Sequence, residues 1–169
     1  MILPGNAIVI DVTISTLPSA PLHALEIWSN AQAVAKRFQT AAGFDLPPMG
    51  ESAGNAAIQL IRFEPTVWLV EGDVTGLEPV LGDDGALTAI GGGIVRVAVS
   101  GAGWRRLLME GGVFDAEDPA FGPGSSAATI IDHVNVRLHV TGEAQCTAYV
   151  PSSYAHDLIE FWNAATRLA

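Results

Sequence analysis

Cysteine, basic residues and long apolar runs are all scarce in this sequence, and each scarcity removes a class of function. The single cysteine, Cys146, has no second thiol to pair with, so an internal disulfide and a Cys-x-x-Cys metal or redox pair are both excluded. A reducing, cytoplasmic setting is expected. Eight lysines and arginines stand against eighteen aspartates and glutamates, a net charge of −10, and such a surface repels phosphate backbones and anionic membranes. Nucleic acid is not an expected partner. No segment reaches the roughly eighteen consecutive apolar residues of a membrane-spanning helix, and Met1 to Ser15 carries no lysine or arginine, so neither a membrane span nor export is expected. The histidines at 23, 133, 139 and 156 form no His-x-x-x-His pair, which leaves no zinc motif.

What is present favours one ordinary core. The chain has 169 residues, 49% hydrophobic and only 15% charged, which predicts a single folded unit over 1–169. A mean hydropathy of +0.34 with so few charges also suggests that some apolar surface is covered by another protein.

Alternation over Ala7 to Ile14 predicts a first strand. Ser19 and Pro21 read as the opening of a long helix with Ile27, Ala31, Val34, Ala35 and Phe38 on one face and Gly43 at its end. After the loop "FDLPPMGESAGN", Ala56 to Phe63 and Val67 to Val70 read as strands around Glu64-Pro65. A helical turn near Leu77 to Leu81 and the glycine-rich patch "GDDGALTAIGGG" lead to a strand at Ile94 to Val99. The order then restarts. Ser100 is placed to cap a short helix with Trp104, Leu107 and Leu108 on one face, ended by Gly111-Gly112. An acidic loop and a hairpin follow: Thr129 to Ile131, the turn Asp132-His133, then Val134, Val136, Leu138 and Val140 alternating with Asn135, Arg137 and His139. A strand near Ala144 to Val150 and a helix capped at Ser152 or Ser153, its apolar face Tyr154, Leu158, Phe161, Trp162 and Ala165, complete the chain. Two β-α-β-β passes, about 6–90 and 93–166, predict an α+β fold of two similar units, antiparallel sheet with helices packed on it.

Ser125, Ser126, Asp132, His133 and His139 lie within twenty residues, but a serine nucleophile needs an exposed elbow and an aligned base. Without a Gly-x-Ser-x-Gly turn the stretch reads as a hairpin. Gly101-Ala102-Gly103 stands where a dinucleotide loop would, yet Arg106 holds the third glycine position, and close helix-to-strand packing explains the glycines better. Asp115, Glu117 and Asp118 fail as a calcium loop because Pro119 and Phe121 occupy ligand positions, leaving a solvated loop. Arg105 and Arg106 are expected to point away from the Trp104 face, toward an acidic group on a partner. Of the tryptophans at 28, 68, 104 and 162, most are expected in the core and one or two at an interface. The expected partner interface is Trp104, Arg105, Arg106, Arg137 and His139.

Several segments, "GFDLPPMG", "IRFEPTVWLVEGD", "VRVAVSGAGWRRLLMEGGVFDAEDPAFGPGSSAATIIDHVNVRLHV" and "AYVPSSYAHDLIEFW", resemble the gamma subunit of heterotetrameric sarcosine oxidase over about residues 40 to 165. The most specific pieces are Pro65-x-x-Trp68-Leu69, Ser100-Gly101 before Leu107-Leu108, the passage through Phe114, Asp115, Phe121, Pro123 to Ser125 and Thr129, and Val150-Pro151-x-Ser153-Tyr154. The resemblance implies a cofactor-free chain with the folate-domain fold of aminomethyltransferases. It further implies larger partner subunits that carry FAD, FMN, NAD and most of the tetrahydrofolate site. One departure is Gly91-Gly92-Gly93, where an Asp-x-Ser-like segment is usual; glycines remove side-chain contacts and loosen the loop, so the partner surface differs. The resemblance therefore predicts a non-catalytic accessory subunit of a folate-linked, N-demethylating oxidase. The alternative is a freestanding folate or one-carbon binding domain, alone or as a homodimer, in which Asp115 or Glu117 hydrogen-bonds the pterin.

Overall fold

The computed structural model describes residues 10–168. Residues 7–9 of the first expected strand lie outside that span; Ile10 to Val12 run without regular structure, and the strand is β1, Thr13–Thr16. β2, Leu22–Ile27, occupies ground that the sequence assigned to a helix, and α1 runs only from Ala31 to Ala42. The reason is two-sided burial. Leu22 packs toward the other sheet while Leu25 and Ile27 pack under α1, so the apolar spacing of the strand imitates a helical period. Asn30 turns the corner at φ +47°, its amide nitrogen donating to Asp84 Oδ1 at 2.8 Å. Gly43 ends α1 in the left-handed region, at φ +81°, as a C-terminal glycine should.

The first unit continues with β3 (Ser52–Gly54), β4 (Ile58–Arg62), β5 (Val67–Gly72), α2 (Leu77–Leu81) and β6 (Gly85–Ala89). β6 is the second correction, since the glycine-rich patch holds a strand. It lies so close to β2 that a Cβ on Gly85 would stand 2.2 Å from the Glu26 carbonyl oxygen. The second unit has β7 (Ile94–Ser100), α3 (Trp104–Met109), β8 (Ser126–Ile131), β9 (Val134–Gly142), β10 (Gln145–Pro151) and α4 (Ala155–Leu168). Ser100 belongs to β7 and does not cap α3, whose N-cap is Gly103 without a side-chain bond. Tyr154 precedes α4 and is 54% exposed, so it is not part of that helix's apolar face. The hairpin turn is as expected: Asp132 and His133 both have positive φ, 45° and 65°, the geometry that matches the twist of a two-residue hairpin.

Two five-stranded antiparallel sheets result, ordered β3-β4-β5-β2-β6 and β8-β9-β10-β7-β1. The orders correspond strand for strand, and each unit's leading strand is exchanged: β1 precedes the first unit but pairs with β7, and β6 precedes the second but pairs with β2. Helices cover the outer faces. One core, around Trp104, Leu138, Leu158 and Trp162, joins α3 and α4 to the second sheet. Another, around Val34, Phe38, Trp68 and Leu81, joins α1 and α2 to the first. A smaller cluster of Leu22, Ile61, Phe63, Leu69 and Tyr149 holds the sheets face to face. The architecture is α+β in two similar units.

Candidate functional site

The two inner sheet faces carry polar side chains, and their arrangement differs along the space between them. At one end Arg96 of β7 crosses to Glu71 of β5 in an ion pair, and its second terminal nitrogen donates to the Pro18 carbonyl at 2.6 Å. Tyr149 donates its hydroxyl to the other Glu71 oxygen at 2.9 Å. Burial, with the Glu71 charge, pushes the Tyr149 phenol well above its ordinary range. With the proline-rich linker 17–21 alongside, this end is plugged.

Two residues along β9 from Arg137, on the side away from Asn135, the polar parity of β9 meets the first unit. His139 is 8% exposed, and its Nε2 lies 2.8 Å from Ser52 Oγ. Ser52 spends its own proton on the Gly124 carbonyl at 3.0 Å, so His139 is the donor of the pair and is neutral with its proton on Nε2. Burial lowers its pKa to about 4. Ser126 Oγ donates to the Arg62 carbonyl at 2.9 Å, and the Ser126 amide to the Gly50 carbonyl at 2.8 Å. These bonds rivet the start of β8 to the first sheet.

Beside the plug, beyond Tyr149, the space between the sheets is open. A groove of about 520 Å³ runs over the inner face of the second sheet, floored by Ile94, Ala128, Ile130, Tyr149 and Pro151. Asn135, Arg137 and Glu64 line its side, and the Gly91–Gly93 linker borders it at Gly93. Arg137 pairs with Glu64 while its guanidinium lies 5.8 Å from the Phe63 ring centre. Strand register relates the two sheets. Leu22 opposite Glu71 and Ala24 opposite Leu69 in the first sheet match Ile94 opposite Pro151 and Arg96 opposite Tyr149 in the second. The counterparts of the plugging Arg96 and Glu71 are thus Ala24 and Pro151, which cannot form an ion pair.

The sequence candidates are dispersed. Ser125 donates to the Ala120 carbonyl, Asp132 and His133 are exposed at the hairpin turn, and His139 meets Ser52 rather than Ser125 or Ser126, so no serine, histidine and aspartate converge. Gly101, at φ +119°, and Gly103 pack against residues 10–12, where added Cβ atoms would come within 2.5 Å of the Asp11 carbonyl oxygen and of Ile10 Cγ2. Asp115 and Asp118 accept the amides of Glu117 and Ala120 in an exposed loop, and neither Asp115 nor Glu117 lines the groove. Trp104 is buried, donating its indole N–H to the Glu143 carbonyl at 3.1 Å. Arg105 does not point away from it: its guanidinium stacks 4.3 Å from the Trp104 ring centre and donates to the Ala116 carbonyl. On a helix of barely two turns the long side chain folds back to shield the indole. Trp68 and Trp162 are buried as expected, whereas Trp28 is 58% exposed. Cys146 is buried, and that pushes its thiol up to about 12.

No protein-family model matches the chain, and no curated protein matches it. Among solved structures, it is similar to a chain of "Heterotetrameric Sarcosine Oxidase from Corynebacterium sp. U-96 in complex with pyrrole 2-carboxylate", at TM-score 0.82 and 18% identity over 94% of this chain and 85% of that one. It is also similar to aminomethyltransferase T of the glycine cleavage system from Bartonella henselae, at TM-score 0.70 and 16% identity over 94% of this chain. This chain spans only 47% of that enzyme. The fold is therefore the one shared by a chain of the heterotetrameric oxidase and by about half of the aminomethyltransferase.

Proposed function

We propose that this chain is a non-catalytic accessory subunit of a folate-linked, N-demethylating oxidase assembly of the sarcosine-oxidase type. The whole chain, 1–169, acts as one module with pseudo-repeats at about 6–90 and 93–166. Larger cytoplasmic partner subunits carry FAD, FMN, NAD and tetrahydrofolate. The observation that carries this reading is the likeness to a chain of a heterotetramer over 94% of one chain and 85% of the other. The engagement of this chain's own chemistry supports it. His139, Ser52 and Ser126 bond across the sheets, Arg96, Glu71 and Tyr149 plug one end, and Arg105 covers Trp104. Among the expected interface residues, Arg106, which is exposed, and Arg137, at 34% side-chain exposure, are the ones proposed to meet a partner directly. The test is to purify the full chain alone and from its native cell extract. Alone it should be colourless and without oxidase activity. The native preparation should carry larger subunits and a visible flavin band; yellow, active chain without partners would refute the reading.

A further inference from the structure

We infer that the open groove and the adjoining edge of β8 form a strand-addition site for an extended segment of another polypeptide, in which apolar side chains alternate with lysine or arginine. The inference deepens the subunit reading above and rests on it for the origin of the segment, but the site is argued from its own geometry.

β8 is an edge strand. Among the described residues only its ends are occupied: the Ser126 amide bonds the Gly50 carbonyl at 2.8 Å, and the Asp132 amide just beyond the strand bonds the Gly111 carbonyl at 3.0 Å. Both amides leave the sheet on its open side. Ala128 and Ile130 fall between them at the two-residue period of a strand, so their amides face the same free edge. Such an edge recruits a further strand unless it is blocked, and β8 has no proline or lysine to block it.

The groove beside this edge supplies the side-chain contacts. Ile130, a large hydrophobic residue 44% exposed, lies on the groove floor. Every second side chain of an added strand would reach this floor, the arrangement by which edge-binding domains gain specificity. Gly92 and Gly93 have no atom within 4 Å of where a Cβ would stand, which leaves that wall without a competing side chain.

Charge selects the partner chemistry. Arg137, the one cation lining the groove among the described residues, is already paired with Glu64. Asp132 and Glu110 are exposed at the turn end of β8, and the whole chain carries −10. An acidic segment, including one from a second copy of this chain, is disfavoured, and a basic one is attracted.

The full chain, isotope-labelled, is titrated with the capped peptide Lys-Val-Lys-Val-Lys-Val-Lys and with its glutamate counterpart while backbone amide resonances are followed. The lysine peptide should shift Ala127 to Ile130 and Asn135, and the glutamate peptide should not. Ala128→Pro, which removes an edge amide without touching the β8–β9 ladder, should abolish the shifts while leaving Tm close to that of the wild type. If Ala128→Pro unfolds the chain, Ile130→Lys serves in its place. Absent shifts, shifts confined to other surfaces, or equal binding of the glutamate peptide would overturn the inference. Failure of the subunit reading has a separate signature: the chain purifies without flavoprotein partners while the lysine peptide still docks on β8.

Discussion

Two neighbouring parts of the space between the sheets share Tyr149, yet one is plugged by Arg96 and Glu71 and the other is a groove. Ala24 and Pro151 stand at the counterparts of Arg96 and Glu71 in register. The linkers reinforce the contrast, with Pro18 and Pro21 flanking the plug and Gly91–Gly93 the groove. The contrast shows how one strand, β10, can carry through Tyr149 both a closed contact with Glu71 and the floor of an open groove.

The largest effect should come from breaking the plug. Glu71→Ala leaves Arg96 and the Tyr149 hydroxyl without their acceptor in a setting where the Arg96 side chain is 14% exposed, and should cost about 3–4 kcal/mol of unfolding free energy in a urea titration. Replacing the pair together, Arg96→Met with Glu71→Leu, should recover most of that loss, because no charge is then buried alone. A loss as large in the double variant as in the single would show that the ion pair is not what closes this end.

The rivet between the sheets sharpens the comparison through pH. His139 has a folded-state pKa lowered by burial from 6.5 to about 4. Above pH 6.5 it is neutral whether the chain is folded or not. As pH falls from 6.5 to about 4, the unfolded chain takes up the proton and the folded chain does not, so stability drains over that window and levels off below it. At about 1.4 kcal/mol per pH unit the loss approaches 3 kcal/mol. His139→Gln should flatten this component of the profile, measured as the difference in unfolding free energy between variant and wild type at each pH.

In the open groove the same chemistry should be worth much less. Arg137 and Glu64 form an ion pair too, but their side chains are 34% and 45% exposed. Arg137→Ala should therefore cost about 1 kcal/mol or less. An effect equal to that of Glu71→Ala would erase the distinction between plug and groove. The smallest change is expected in the linker: Gly92→Ala and Gly93→Ala meet open space and should shift stability by about 0.5 kcal/mol or less, toward stabilisation where the backbone accepts alanine.

Much of the fold was legible because its periods are clean. Val134 to Val140 alternates, Asp132-His133 makes a tight turn, Gly43 stops α1, and Leu158 with Trp162 marks the inner face of α4. β2 was hidden because it is buried on both faces, so Leu22, Leu25 and Ile27 lose the two-residue signature. β6 was hidden because "GALTA" is small and rich in weak strand formers, and only its contact with β2 defines it. The candidate site was barely legible. Arg137 was singled out, but its companions Ile94, Ile130, Pro151 and Glu64 come from four separate segments that only the fold brings together. The Gly91-Gly92-Gly93 departure was the one local signal of it. Arg105 misled because a sequence gives its distance from Trp104 along the helix and not the fold-back of its side chain.

The most direct test is an electron cryomicroscopy map of the assembly purified through a tag on the full chain from its native cells. The account predicts larger subunits bearing flavin and, across the Ala127 to Ile130 edge, an added strand whose side chains enter the groove. A chain that purifies alone, or a partner seated elsewhere with the groove left empty, would contradict it.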